Sequence, residues 1–73
     1  MNEAIMIRVA ELLHEWNAVV NPRAIGYALT HMKIVAEEKE PSLERTRELV
    51  EIEVALGEFY VAFPDVQRFT KKD

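Results

Sequence analysis

Residues 43–63 read LERTRELVEIEVALGEFYVAF, and this pattern fits either a helix or a β-hairpin. Strong helix formers follow Pro41, and Ser42 is a suitable N-cap for a helix that begins at Leu43. Apolar residues recur at intervals of three or four along the segment, at Leu49, Ile52, Leu56, Phe59 and Phe63. Because this spacing extends to the end of the segment, we predict a helix.

The alternative is an α+β domain with a β-hairpin at about residues 50–63. Apolar residues there also alternate with glutamate or alanine, at Val50, Ile52, Val54 and Leu56. Gly57-Glu58 would then form a two-residue turn into a second strand over residues 59–63. In the helical interpretation, Val50, Val54 and Val61 form an additional ridge, which we expect the helix to bury as well.

Two further helices are predicted before Pro41. Asn2 is a plausible N-cap for the first, which extends to about Asn17, and Asn21-Pro22 is a typical start for the second, which extends to about Lys39. The first helix has an apolar stripe at Ile5, Val9, Leu12, Leu13 and Trp16, and we expect Trp16 to complete the core. The second has its stripe at Ile25, Ala28, Leu29, Met32 and Ala36. The sequence therefore predicts a small, mainly α, three-helix domain over residues 1–64, followed by a short, mildly basic and flexible tail over residues 65–73.

Length and composition exclude several classes of protein. The chain has 73 residues, a net charge of −4 and no cysteine, which excludes disulfides and metal sites built on thiolates. No apolar run approaches the ~18–20 residues that span a bilayer, and the N-terminus lacks the apolar region of a signal peptide. We therefore expect a cytoplasmic protein that does not enter a membrane.

The residues that usually carry catalysis or bind metals are scarce. His14-Glu15 begins a zinc-protease motif, but Ala18 occupies the position where the second histidine is required. The two glycines are isolated, so they cannot form a phosphate-binding loop, and the serines and threonines lie outside any nucleophile motif. We predict a protein that is not an enzyme, with no catalytic residue, no metal ligand and no cofactor.

Protein binding is the function that we favour from the sequence. Ile7 lies on the back of the first helix, and Tyr27 and Ile34 lie on the back of the second with Arg23. A domain of three helices has little material to cover both faces of each, and tyrosine beside arginine is typical of binding hot spots. We therefore predict a protein-binding site at Ile7, Arg23, Tyr27 and Ile34; the alternative is that the second helix is central and buried on two sides.

Two further surfaces have two interpretations each. Residues 37–58 hold eight acidic and three basic residues, a net charge of −5, which favours either a solvated face or attraction to a basic partner. The C-terminal residues Arg68, Phe69, Lys71 and Lys72 form either a contact tail or an unstructured terminus. Both a monomer and a homodimer are compatible with the sequence.

A DNA-binding helix-turn-helix over residues 8–33 is the alternative function. The recognition helix of this motif would have Arg23 and Lys33 as its basic residues. Contacts to phosphates usually need several basic side chains together. The linker of residues 17–22 is also longer than the usual turn of three or four residues. Direct binding to nucleic acid is therefore the less favoured hypothesis.

In size, acidity, lack of cysteine and lack of catalytic groups, the chain resembles small phage-encoded regulators that bind the RNA polymerase of the host. The resemblance is one of general character across the whole chain, and it transfers no individual residue. It implies a larger protein partner, with subunits of bacterial RNA polymerase as the candidates. It also implies a mechanism in which the bound protein inhibits or modifies initiation or termination.

Overall fold

The computed structural model describes residues 2–66, which form three helices: α1 (Glu3–Glu15), α2 (Pro22–Glu38) and α3 (Leu43–Ala62). The prediction of a mainly helical domain is confirmed. The alternative of a β-hairpin is wrong, because α3 continues as one helix through Gly57 and Glu58. None of the helices within residues 2–66 has the length and apolar character needed to cross a bilayer.

All three helices begin at the capping residues that the sequence indicates. In each case a side-chain oxygen accepts a hydrogen bond from a backbone N–H that has no partner within the helix. These bonds run from Ala4 N to Asn2 Oδ1 (2.8 Å), from Ala24 N to Asn21 Oδ1 (2.9 Å) and from Arg45 N to Ser42 Oγ (3.0 Å). The caps fix where each helix starts, and therefore which side chains face the core.

The end of α1 is a left-handed turn at Asn17, where φ is 52°. The Asn17 N–H donates to the carbonyl of His14, and the Ala18 N–H donates to the carbonyl of Leu13. This pair of bonds is a Schellman motif, which is closed by glycine or, less often, by asparagine. The turn stops the helix and directs the chain across towards the start of α2.

The core forms around α2, which packs against both α1 and α3. Its buried apolar residues are Ile5, Val9, Leu12, Leu13, Ala28, Leu29, Ala36, Ile52, Ala55, Leu56, Phe59 and Tyr60. Gly26 lies where α2 packs closely on side chains of α3: a β-carbon at this position would lie 3.1 Å from Phe59 Cε2 and 3.3 Å from Tyr60 Oη. The absence of a side chain at Gly26 therefore allows the two helices to meet.

Two predictions about burial are wrong. Trp16 does not complete the core, because α1 ends at Glu15 and the indole, 38% exposed, lies over the surface of α2 instead. The valine ridge of α3 is not buried either: Val50, Val54 and Val61 are all exposed, because α2 packs on the opposite face of this helix.

Arg45, in the first turn of α3, binds the last turn of α2. Its Nε donates to the carbonyl oxygen of Ala36 at 3.2 Å, and its Nη2 donates to that of Glu37 at 3.1 Å. Carbonyls in the last turn of a helix lack partners within the helix and carry partial negative charge, so a guanidinium satisfies both needs. Arg45 thereby closes the corner between α2 and α3.

An ion pair connects the middle of the same two helices. Lys33 Nζ lies 2.6 Å from Glu53 Oε1, and this hydrogen bond raises the pKa of the lysine above its ordinary value of 10.5. The folded protein therefore holds this proton more tightly than the unfolded chain. The contribution to stability is fully present below pH 10.5 and is lost as the pH rises through the higher pKa of the folded state.

Candidate protein-binding surface

Trp16, at the C-terminal end of α1, forms a partly exposed cluster of three rings with two residues of α2. Trp16 meets Tyr27 edge-on, with ring centroids 5.5 Å apart and planes at 81°, and meets His31 at 5.2 Å and 88°. Tyr27 and His31 are four residues apart, so both lie on the same face of α2. Edge-to-face packing is a favoured arrangement of aromatic rings, and it stabilises this cluster at the surface of the protein.

A hollow of about 320 Å³ opens beside Trp16 and Tyr27. Leu13, Ala18 and Ala24 contribute to its apolar lining. The polar residues Asn21 and Arg23 also line it, and Arg23 precedes Tyr27 by one helical turn. The hollow thus offers apolar contact together with a cation that can bind a carboxylate or a carbonyl oxygen.

A smaller hollow of about 90 Å³ lies on the other side of Tyr27, lined by Thr30, His31 and Ile34 as well as by the tyrosine. Tyr27, which is 53% exposed, therefore stands between two concave sites. We refer to the surface formed by Trp16, Arg23, Tyr27, His31 and Ile34 as the aromatic surface.

The structure brings together three of the four predicted contact residues. Arg23, Tyr27 and Ile34 lie on the aromatic surface, whereas Ile7 is exposed on α1 and lines neither hollow. The predicted tail contacts Arg68, Phe69, Lys71 and Lys72 lie outside the described residues.

Sequence reasoning missed Trp16 and His31. The stripe of α1 predicts Trp16 in the core, although its position at the end of the predicted helix is a signal that it can turn outwards. For His31, the spacing of four from Tyr27 is the signal that the two rings share a face.

An apolar groove of about 300 Å³ adjoins the first hollow and shares Leu13 with it. The other residues that line it are Met6, Val9, Ala10, Val20, Ile25, Phe59 and Phe63. This groove continues apolar surface around the end of α1, but it lacks the exposed tryptophan and the arginine of the aromatic surface.

The electrostatics of α2 weigh against the helix-turn-helix hypothesis. Lys33 forms an ion pair with Glu53 on α3. The carboxylate offsets the charge of the lysine and so weakens its attraction for a phosphate. Arg23 then remains the strong cation on the exposed side of α2. One such side chain is fewer than the several that phosphate backbones usually require.

Within residues 2–66, no three histidine or acidic side chains lie close enough together to hold a metal ion. The chain matches no protein-family model, and comparisons with curated proteins and with solved structures gave no match either. The candidate function is therefore argued from the residues of the aromatic surface.

Proposed function

We propose that this protein is a non-enzymatic regulatory protein that binds a larger protein through its aromatic surface. The observation that supports this most is the edge-to-face packing of Trp16 on Tyr27 and His31 at the surface, beside a hollow lined by Arg23. Tryptophan, tyrosine and arginine are the residues that most often dominate binding energy in protein interfaces.

The arrangement also suits binding because little order has to be gained. The rings support one another in the unbound protein, so a partner does not have to immobilise them. The hollow beside Tyr27 can accept an apolar side chain, and Arg23 can bind a neighbouring polar group of the same partner. A rigid apolar centre with a polar rim is the usual anatomy of a specific interface.

Bacterial RNA polymerase is the partner that we propose to test first. The support is the resemblance in size and acidity to small phage-encoded regulators of that enzyme. In this proposal the protein occupies a polymerase surface and thereby inhibits or modifies initiation or termination.

The experiment measures binding of the 73-residue chain to purified bacterial RNA polymerase, core and holoenzyme, by biolayer interferometry with nuclease present. We expect binding by the wild type and at least about thirtyfold weaker binding by Tyr27→Ala, as for a hot-spot residue. The matched control is Met6→Ala, which removes an exposed apolar side chain of α1 that lines neither hollow beside Tyr27 and is expected to bind normally.

Circular dichroism and thermal melting of both variants establish that the fold is retained. Arg23→Glu provides a second variant, since this side chain is exposed in the first turn of α2. If Tyr27→Ala and Arg23→Glu bind polymerase as the wild type does, the aromatic surface is not the contact. If the wild type does not bind polymerase, the proposed partner is wrong, and binding to duplex DNA instead would favour the helix-turn-helix hypothesis.

A further inference from the structure

The outer face of α3 carries a row of apolar residues that nothing within residues 2–66 covers. We call this row the outer seam; its members are Leu43, Val50, Val54, Gly57 and Val61. The exposed fractions of Val50, Val54 and Val61 are 57%, 57% and 82%. Because the core-facing side of α3 is also apolar, this helix has apolar residues on two faces, which is typical of a helix that is covered on both.

The spacing of the outer seam is that of a coiled coil. Positions 50, 54, 57 and 61 follow one another at intervals of four, three and four, which keeps the row on one line when two helices wrap around each other. This apolar part spans about 16 Å at ~1.5 Å per residue. Arg47 interrupts the row between Leu43 and Val50, so the apolar contact lies in the C-terminal half of α3.

No contact within residues 2–66 explains Gly57. A β-carbon at Gly26 would press on Phe59, whereas a β-carbon at Gly57 would meet nothing within 4 Å. Glycine in the middle of a helix lowers its stability relative to alanine, so an exposed glycine here brings a cost without an internal benefit. Its place in the row between Val54 and Val61 is where a second helix would need close approach to the backbone.

The charges beside the outer seam select the partner. Glu44, Glu51 and Glu58 recur every seven residues along one flank and are all exposed. In an antiparallel pair of two copies this glutamate row would face itself. In a parallel pair it would face the other flank, where Glu53 is already held by Lys33 and positions 46 and 60 are not basic. Neither arrangement places a cation opposite the glutamate row, so a second copy of this chain is disfavoured.

We propose that the outer seam binds an amphipathic helix of another protein, whose own apolar row is flanked by lysine or arginine. Such a helix would cover the three valines, approach closely at Gly57 and pair its basic flank with the glutamate row. The proposal goes beyond the function proposed above, because the outer seam and the aromatic surface share no residue.

The test uses designed helical peptides of about three heptads with leucine along the seam. One peptide has lysine at the flanking positions, the second has glutamate there, and the third keeps the lysines but has a scrambled apolar row. We expect the 73-residue chain to bind the first peptide at least about tenfold more tightly than the other two, as measured by isothermal titration calorimetry.

Variants of α3 separate the seam from simple charge attraction. Val54→Asp removes an exposed apolar side chain from the seam and adds a negative charge, so it should keep the fold and weaken binding of the lysine-flanked peptide at least about tenfold, although simple charge attraction would increase. The double change Glu44→Lys and Glu51→Lys should shift the preference towards the glutamate-flanked peptide. Val19→Asp, which changes an exposed valine outside α3, is the matched control and should bind as the wild type does.

Three results would overturn the proposal. The first is no preference for the lysine-flanked peptide. The second is binding of that peptide that Val54→Asp leaves unchanged while circular dichroism shows an intact fold. The third is a homodimer in sedimentation equilibrium that Val54→Asp converts to monomer, because the seam would then be the contact between two copies. A wild type that sediments as a monomer and binds the lysine-flanked peptide selectively supports it.

Discussion

Gly26 and Tyr27 are adjacent residues of α2 that serve different sides of the molecule. Gly26 faces α3, where Phe59 and Tyr60 leave no room for a side chain, while Tyr27 lies on the aromatic surface. The glycine therefore fixes how α2 sits on α3, and that position in turn decides where the tyrosine ring is presented.

We expect Gly26→Ala to destabilise the protein by about 1–3 kcal/mol, although alanine is the better helix former. The new methyl group would lie 3.1 Å from Phe59, whose ring is buried and cannot move aside freely. Urea unfolding followed by circular dichroism measures the change in the free energy of unfolding.

The matched control is Gly57→Ala, the same substitution at a helical position with open space around it. There the gain in helix propensity should act alone and raise the free energy of unfolding by up to about 1 kcal/mol. Equal effects of the two substitutions would contradict the close approach of α2 and α3 at Gly26.

The sequence could show that a glycine within a helix needs a reason, but it could not distinguish Gly26 from Gly57. Gly26 contacts residues more than thirty positions away along the chain, whereas a side chain at Gly57 would meet no such contact within residues 2–66. Pattern and propensity describe a helix by itself, whereas the fit between two helices depends on how they cross.

At the scale of the elements, the corner between α2 and α3 depends on Arg45. The guanidinium holds two carbonyl groups at the end of α2, and both bonds are partly buried. The Ala36 carbonyl also accepts from the Lys39 N–H, so Arg45 is its second donor, and the guanidinium ties the start of α3 to the end of α2.

We predict that Arg45→Met lowers the free energy of unfolding by about 1–2 kcal/mol, because two hydrogen bonds with a charged donor are lost. Chemical unfolding of the purified variant measures this. Arg47→Met, the same change at an exposed position two residues further on, should stay within about 0.5 kcal/mol of the wild type. A similar loss in both variants would show that charge or solubility, rather than the bonds to α2, is responsible.

The sequence predicted the elements well and their outer faces poorly. Asn2, Asn21 and Ser42 indicated where the helices begin, because capping is local chemistry that the chain encodes within four residues. Trp16 and the valine ridge were misassigned for the opposite reason. Whether a side chain is covered depends on the neighbouring helices, and the spacing within one helix does not say which of its two apolar faces they occupy.

At the scale of the whole molecule, the stability of the fold depends most directly on Leu29. It is completely buried in α2, the helix that contacts both others. Leu29→Ala should cost about 2–5 kcal/mol through lost apolar contact and the cavity left behind. A domain of this size has a total stability of only about 4–11 kcal/mol at typical values per residue, so much of it would be lost.

Thermal melting by circular dichroism should therefore show a strongly lowered midpoint for Leu29→Ala. Leu43→Ala is the matched control, since that leucine is 67% exposed at the start of α3, and its melting temperature should change little. A midpoint for Leu29→Ala close to that of the wild type would mean that the core is organised differently.

The glutamate row also makes the charge distribution of the molecule asymmetric. Residues 37–58 carry a net charge of −5, while residues 1–36, which hold all five residues of the aromatic surface, have three acidic and three basic residues and sum to zero. In the electric field of a cationic partner, such a molecule is oriented before contact is made. It would arrive with α3 leading and with Trp16 and Tyr27 still accessible, so an encounter guided by charge would leave the aromatic surface available for a different contact.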